Sequence, residues 1–126
     1  MLDRAKLLPA LVKISAACGE IAAAAQGVLE LETITTTYTS PALVASAALA
    51  RGRVELARGQ AEQAMLHLRR ACRIWAEIDL PIELAQTRLL LSRAYSALGN
   101  ADEAELEERT AQAAMDRIGA RALRRE

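Results

Sequence analysis

The amino-acid sequence predicts an all-α fold, with six helices paired into three helix-turn-helix hairpins that stack as a right-handed solenoid. Alanine, which costs least in a helix and is depleted in strands, fills 28 of the 126 positions. Apolar residues recur at the three- and four-residue spacing of a buried helix face. A glycine also recurs every forty residues, at Gly19, Gly59 and Gly99. Together these features favour repeated helical hairpins.

The forty-residue period is clearest between residues 41–80 and 81–120, which align without a gap. Identical columns include Pro41/Pro81, Leu49/Leu89, Arg53/Arg93, Gly59/Gly99, Ala64/Ala104 and Leu66/Leu106. Residues 1–40 follow the same period more weakly. We therefore expect a single domain over 1–126, built from units 1–40, 41–80 and 81–120. Residues 121–126 are either a tail or the start of a truncated fourth unit.

Each unit is predicted to form two helices, because the glycine follows one run of helix formers and precedes another. Glycine has no Cβ, so it adopts the left-handed conformation that ends many helices without steric cost. A proline begins the third and fifth helices, where its missing N–H is not needed. The predicted helices lie near 2–18, 20–38, 42–58, 61–79, 82–98 and 101–118.

The threonine-rich segment ITTTYTSP, residues 34–41, is the one place where a strand is an alternative. Its β-branched residues cost about 0.5 kcal/mol each in a helix relative to alanine. The same columns of the second unit, IWAEIDLP at 74–81, end an amphipathic helix before a proline. A lone strand would also have no partner. We predict a helix end here, with residues 38–40 in the turn.

The fourth helix has the most regular apolar face, formed by Ala61, Ala64, Met65, Leu68, Ala71, Cys72, Trp75 and Ile78. We expect Trp75 to be buried, since it lies on this face and precedes the proline-started fifth helix. The sixth helix has Glu108 where the fourth has Leu68. We therefore expect the sixth helix to be only partly covered.

Charge and composition exclude several classes of protein. Sixteen basic and sixteen acidic residues give no net charge, which does not support direct contact with nucleic acid. The apolar runs are too short to span a bilayer, and the N-terminus lacks the order of a signal peptide. We expect a cytoplasmic protein without membrane contact. Its two cysteines, Cys18 and Cys72, are expected to be buried and reduced.

The repeat pattern resembles that of the tetratricopeptide family. The matching positions are the small residue (Gly52, Ser92), the turn glycine (Gly59, Gly99), the central alanine (Ala64, Ala104), the second alanine (Ala71, Ala111) and the tyrosine (Tyr95). The period of forty differs from the family's 34 residues, the second helices are longer, and Glu55 stands in the column of Tyr95. The resemblance implies a tetratricopeptide-like solenoid.

More narrowly, residues 30–120 resemble the helical-repeat region of large bacterial LuxR-type and related ATP-binding transcriptional regulators. The segment from SPALVASAALARGRVELARG onward carries this likeness. In such proteins the repeats lie between an ATP-binding region and a DNA-binding helix-turn-helix. The sequence contains no G-x-x-x-x-G-K-[ST] motif. The resemblance therefore implies a non-catalytic interaction or regulatory module of a bacterial transcriptional regulator.

The sequence offers no set of side chains for catalysis, so we expect no enzyme activity, no cofactor and no metal. His67 is the single histidine and is flanked by two leucines, which predicts a partly exposed helix residue. The acidic run ADEAELEE at 101–108 begins a predicted helix. Negative charge is favourable at that end, so a solvated acidic face is expected.

Lys13, Arg53 and Arg93 share one phase of the forty-residue period, on the first helix of each unit. In the tetratricopeptide pattern this phase lies on or near the concave surface. That implies a row of cations, spaced by about 10 Å, for an acidic or C-terminal peptide. The neighbouring columns are apolar, so the alternative is that these cations tie the helices together internally. Both interpretations stay open at this point.

Two other functions also stay open. The small-residue segment ISAACGEIAAAAQGV, residues 14–28, and the exposed ends of a short array favour self-association. The first unit is the more apolar end, which predicts a homodimer through the first hairpin. A small-ligand-binding helical bundle is the third hypothesis, and the lack of site residues disfavours it.

Overall fold

The computed structural model describes the backbone of residues 2–124 and the side chains of residues 6–123. Six helices and no strand occupy the described range. They are α1 (Leu2–Ala17), α2 (Ile21–Thr35), α3 (Pro41–Ala57), α4 (Ala61–Glu77), α5 (Pro81–Ala97) and α6 (Ala101–Arg124). The all-α, six-helix prediction is confirmed.

The threonine-rich segment is the end of a helix, as predicted, although α2 stops at Thr35 rather than near 38. The hydroxyls of Thr33, Thr35 and Thr36 donate to the carbonyls of residues 29, 32 and 33 at 2.7–2.9 Å. Threonine hydroxyls therefore supply extra donors to carbonyls near the helix end. The Ser40 hydroxyl then accepts from the Leu43 amide at 3.2 Å, which caps the proline-started α3.

The turn after each first helix has a left-handed glycine. Gly19, Gly59 and Gly99 have φ of 80°, 77° and 80°. The amide after each glycine donates to a carbonyl five residues back, as in Glu20 N to Ser15 O at 2.8 Å. This hydrogen bond belongs to the Schellman ending, which satisfies a free carbonyl at the helix terminus. The turn between α4 and α5 uses Asp79 instead, at φ 55°.

The last helix is longer than the sequence predicted. It continues past 118 through Gly119 and residues 121–124. Gly119 does not have the positive φ of the three turn glycines. The sequence around Gly119 has no proline, and glycine alone only lowers helix propensity by about 1 kcal/mol. Nothing in the local sequence therefore stops α6 at this point.

The helices pack in chain order, with one additional relation among the first helices. Each helix contacts the next, and α3 also contacts both α1 and α5. By contrast, α2, α4 and α6 do not contact one another within residues 2–124. The helices α1, α3 and α5 therefore form one layer. This layer carries the three cations that the sequence singled out.

Trp75 is buried, with 4 % of its surface exposed, which confirms the prediction. It packs with the small side chains of Ala45, Ala48 and Ala71, and larger aliphatic residues such as Ile74 and Ile78 border the cluster. Alanines on α3 let the indole of α4 approach closely. The indole Nε1 is buried and has no hydrogen-bond partner among the described residues.

Glycines inside two helices allow a bulky side chain on the paired helix to approach. A Cβ added to Gly52 on α3 would lie 2.5 Å from Leu68 Cδ2 on α4. A Cβ added to Gly27 on α2 would lie 2.8 Å from Val12 Cγ2 on α1. In the hairpin of α3 and α4 the glycine lies on the first helix, α3. In the hairpin of α1 and α2 it lies on the second helix, α2.

The two cysteines differ, and the prediction that both are buried is wrong for Cys18. Cys18 follows the end of α1 and is exposed, while Cys72 lies in the core between α4 and α5. Both thiols are free. Burial, with a smaller contribution from the charge of Glu107, raises the pKa of the Cys72 thiol from 9.0 to about 11. Burial prevails over the opposing effect of Arg88.

We expect a thiol reagent such as Ellman's to modify one cysteine per folded chain rapidly at pH 8, and both in denaturant. The thiolate is the reactive form, and Cys72 is shielded and remains protonated at that pH. Because the Cys72 pKa is higher in the folded chain, its contribution to stability is present below pH 9 and lost as the pH rises toward about 11. Rapid modification of two thiols in the folded protein would contradict the burial of Cys72.

Candidate binding groove

The cations Lys13, Arg53 and Arg93 lie on the three helices of the shared layer, α1, α3 and α5. All three border one cavity of about 400 Å³. The remaining lining residues are small or aliphatic, namely Ala16, Ala17, Leu56, Ala57 and Leu90. We call this surface the cationic groove. Their grouping follows from helix phase, since each cation occupies the same position in a first helix.

A second, smaller cavity lies beside two of these cations. It has a volume of about 170 Å³ and is lined by Lys13 and Arg53 together with the polar residues Ser46 and Gln86 and apolar residues of α1 and α3. Lys13 and Arg53 therefore border both cavities. This places polar donors and acceptors next to the charged part of the groove.

The three groove cations have no hydrogen bond or ion pair with any other residue in the described part of the chain. Several other arginines do have partners. Arg51 binds Glu32 through its Nε at 3.2 Å and through Nη2, and Arg88 binds Glu107 at 2.9 Å. These arginines therefore hold helices of the fold together. The N–H donors of Lys13, Arg53 and Arg93 are not used in this way by other described side chains.

Arg53 is the most enclosed of the three cations. It is half-buried, while Lys13 and Arg93 are exposed. Burial, and secondarily the positive charge of Arg93, lowers the pKa of the Arg53 guanidinium from its usual value. Both effects penalise the charged form. A negative charge placed between Arg53 and Arg93 would offset the repulsion between these two cations.

Helix phase separates Arg53 from Arg51, which is two residues earlier on the same helix. Arg51 faces α2 and pairs with Glu32, and it also lies 3.7 Å from Glu55. It therefore performs the internal tying role that the sequence left open for the Lys13, Arg53 and Arg93 column. A signal was present, because the column of Arg51 holds Leu11 and Leu91. On α5 this column is packed, since Leu91 is buried, whereas Leu11 on α1 is 50 % exposed.

Tyr95 has a structural contact of its own. Its hydroxyl accepts hydrogen bonds from the Arg69 guanidinium, including one from Nε at 2.9 Å, and Arg69 lies over the ring at 5.4 Å from its centroid. The pair joins α4 to α5, and this contact gives a cation–π contribution of about 0.5–1 kcal/mol at a partly exposed site. Sequence reasoning did not foresee this pairing.

Other chemistries have little support among the described side chains. Within residues 6–123, no group of three or more histidine, cysteine, aspartate and glutamate residues could hold a metal ion. His67 is half-buried, as predicted. Burial first, and then the charge of Arg51, lowers the pKa of its imidazole. The absence of a cofactor and of enzyme activity stays an expectation from the sequence.

Neither a protein-family model, nor a curated protein, nor a solved structure matches this chain. Within the described range, none of the six helices combines the length and apolarity needed to cross a bilayer.

Proposed function

We propose that this chain is a non-catalytic protein-interaction module that binds an acidic or carboxylate-terminated peptide in the cationic groove. One observation carries the proposal. Lys13, Arg53 and Arg93, on three different helices, border one cavity and have no partner within the described residues. Charged donors that the fold itself does not use are available to a ligand.

The walls of the cationic groove suit a peptide better than an inorganic anion. Two leucines and three alanines surround the cations. A terminal carboxylate would bind the guanidinium groups, while an apolar side chain next to it would contact Leu56 and Leu90. Arginine binds a carboxylate through two parallel hydrogen bonds, which also sets the orientation of the peptide.

The architecture we propose is a right-handed, tetratricopeptide-like solenoid with a forty-residue period. The left-handed glycines and the contacts of α3 with both α1 and α5 support it. In such an array the first helices line one surface, and successive hairpins extend it. The small residue and the alanines that resemble the family's pattern lie at close helix contacts, as with Gly52 against Leu68.

We further propose that this module serves a bacterial transcriptional regulator in the cytoplasm. The support is the resemblance of residues 30–120 to the helical-repeat regions of LuxR-type regulators, together with the lack of net charge. The partner in this proposal is a protein or peptide, since a chain without excess positive charge is poorly suited to binding nucleic acid.

The direct test is isothermal titration calorimetry. The protein is titrated first with a pool of short random peptides and then separately with each peptide that binds. We expect a free C-terminal carboxylate or an acidic segment to be required, with affinity that falls as salt is raised. Changing Arg53 and Arg93 together to glutamine should weaken binding by at least about tenfold, because each charged hydrogen bond is worth about 1.5–3 kcal/mol. The melting temperature should stay nearly unchanged.

The control is Arg73→Gln with Arg117→Gln, which removes the same charge from exposed positions on α4 and α6. This variant should bind as the wild type does. Unchanged binding together with lower stability in the Arg53/Arg93 variant would instead mean that these cations hold the fold together. A pool that shows no binding at millimolar concentration would also contradict the proposal.

A further inference from the structure

The two cavities that Lys13 and Arg53 share lie along one face of α3. Ser46 lines the smaller cavity, Arg53 lines both, and Leu56 lines the larger one. Seven residues from Ser46 to Arg53 make two helical turns to within about 20°, so both side chains leave the helix on the same side. The lining residues of α3 therefore form one continuous face from Ser46 to Leu56.

The polar part of this face is built in the same way as its charged part. Gln86 of α5 also lines the smaller cavity and stands forty residues after Ser46, as Arg93 stands forty residues after Arg53. The helices α3 and α5 thus each place one neutral polar side chain and one cation along the groove, in the same order. We call Ser46 and Gln86 the polar pair. The polar pair precedes Arg53 and Arg93 by about 10.5 Å along the helix axis, at 1.5 Å per residue.

The fold itself makes no use of the polar pair. Within the described part of the chain, the side chains of Ser46 and Gln86 have no hydrogen bond with any other residue. By contrast, Thr87, next to Gln86, donates its hydroxyl to the Glu83 carbonyl at 2.8 Å. Gln86 is exposed and Ser46 is half-buried. Their donors and acceptors are therefore open to a ligand in the groove.

The chemistry of the polar pair matches an uncharged amide group. A glutamine side chain has an acceptor oxygen and an NH2 donor, and a serine hydroxyl both donates and accepts. The side chain of an asparagine or glutamine in a ligand has the same two kinds of group, so it can form paired hydrogen bonds with Gln86. An ionised carboxylate only accepts hydrogen bonds, so it would leave the Gln86 carbonyl oxygen without a donor.

Charge complementarity determines which end of a ligand lies at which end of the groove. Among the described residues that line the two cavities, three are cations and none is acidic. Arg93 lines the larger cavity but not the smaller one. A negative charge therefore offsets the repulsion between Arg53 and Arg93 when it lies in the larger cavity. The neutral part of the ligand is left for the polar pair.

The length of the α3 face sets the spacing of these two groups in the ligand. An extended peptide advances about 3.3–3.4 Å per residue, so three residues cover about 10 Å. This is close to the separation of the polar pair from Arg53 and Arg93. Between them the groove is lined by Leu49 and Ala50, which suit small apolar side chains of the intervening ligand residues.

We propose that the smaller cavity is a second subsite, which binds an uncharged amide side chain three residues before the C-terminal carboxylate of the bound peptide. This inference rests on the proposed function, because it assigns that carboxylate to Arg53 and Arg93. The partner is then a protein with an extended C-terminal segment that has asparagine or glutamine at this position. Its chain runs along α3 with the carboxylate end toward Leu56.

Two acetylated tetrapeptides with free C-terminal carboxylates, Ac-Asn-Ala-Ala-Leu and Ac-Leu-Ala-Ala-Leu, test the second subsite by isothermal titration calorimetry. Leucine resembles asparagine in shape but cannot form the hydrogen bonds. We expect the asparagine peptide to bind about fivefold more tightly or better, the factor that corresponds to one neutral hydrogen bond. Salt should weaken both peptides equally, since the polar pair is uncharged. Ac-Ala-Asn-Ala-Leu should lose the preference, because neighbouring side chains of an extended chain point to opposite sides.

The variant Gln86→Leu should bind the asparagine and leucine peptides with about equal affinity. Its melting temperature should equal that of the wild type, since Gln86 is exposed and has no hydrogen bond within the described residues. Ser46→Ala should reduce the preference in part. The matched control is Gln63→Leu on α4, at an exposed residue that lines neither cavity, and this variant should keep the full preference.

Failure of the second subsite can be told apart from failure of the proposed function. Equal binding of the two peptides by the wild type, lost in the Arg53/Arg93 glutamine variant, would overturn the subsite and keep the carboxylate site. A preference for asparagine that Gln86→Leu leaves undiminished would also overturn the subsite. Binding that the Arg53/Arg93 variant fully retains, or no binding of either peptide at millimolar concentration, would overturn the proposed function and the subsite with it.

Discussion

Replacement of Trp75 by alanine is expected to lower the free energy of unfolding by about 3–5 kcal/mol, the usual cost of truncating a buried aromatic side chain. The indole is 4 % exposed and fills the space between α3 and α4 next to three alanines. These short side chains cannot extend into the space that the indole leaves. A cavity should therefore persist, which places the cost in this range. Urea unfolding followed by circular dichroism at 222 nm measures it.

A second substitution separates packing from hydrogen bonding at this site. The Trp75 Nε1–H is buried without a partner in the described structure, and such a donor costs about 1–3 kcal/mol. Trp75→Phe removes the donor and keeps much of the ring, so it should cost less than the alanine variant. A phenylalanine variant as unstable as the alanine variant would show that the indole nitrogen does have a partner. Trp75 is the single tryptophan, so a blue-shifted emission maximum of the folded protein would report its burial directly.

The second large effect is expected at the contact of Gly52 with Leu68. Leu68→Ala should cost about 2–5 kcal/mol, since Leu68 is fully buried between α3 and α4. Gly52→Ala should also destabilise, because the new Cβ would lie 2.5 Å from Leu68 Cδ2 and overpacking costs about 1–3 kcal/mol. The gain in helix propensity, about 1 kcal/mol, offsets only part of this cost.

The two changes should compensate for each other. In the Leu68→Ala background the added methyl group enters the space that the leucine has left, so Gly52→Ala should become neutral or stabilising. A double-mutant cycle of Gly52→Ala and Leu68→Ala should give a coupling energy of at least about 1 kcal/mol. Additive single effects would contradict the close contact. The control is Gly119→Ala, where an added Cβ meets nothing within 4 Å and should stabilise α6 by up to about 1 kcal/mol.

Local sequence patterns were enough to predict the all-α fold and the order of the six helices. Glycine at positions 19, 59 and 99 is the least strained residue for a left-handed helix end, and the backbone adopts that conformation at each of them. The burial of Trp75 followed from the 3,4 spacing of α4. These properties depend on neighbours within one or two turns, so they can be inferred without knowing how the helices pack.

Helix ends and exposed residues were less predictable. The helix α2 ended three residues early, and α6 continued to Arg124. Propensity differences of about 0.5–1 kcal/mol per residue are too small to set a boundary without the capping contacts of the folded chain. Cys18 was expected to be buried because free cysteines usually are, yet the end of α1 leaves it exposed.

In the cationic groove, too, the local sequence pattern predicts some features and the packing of the helices decides others. The repeat column brought Lys13, Arg53 and Arg93 together as candidates, but it could not separate them from arginines that tie helices together. That difference depends on acids distant in the chain, since Glu32 neutralises Arg51 and Glu107 neutralises Arg88. Helix phase sets the direction of each side chain within its own helix. Whether that direction meets a carboxylate or an open cavity depends on how neighbouring hairpins stack, because the partner belongs to another helix.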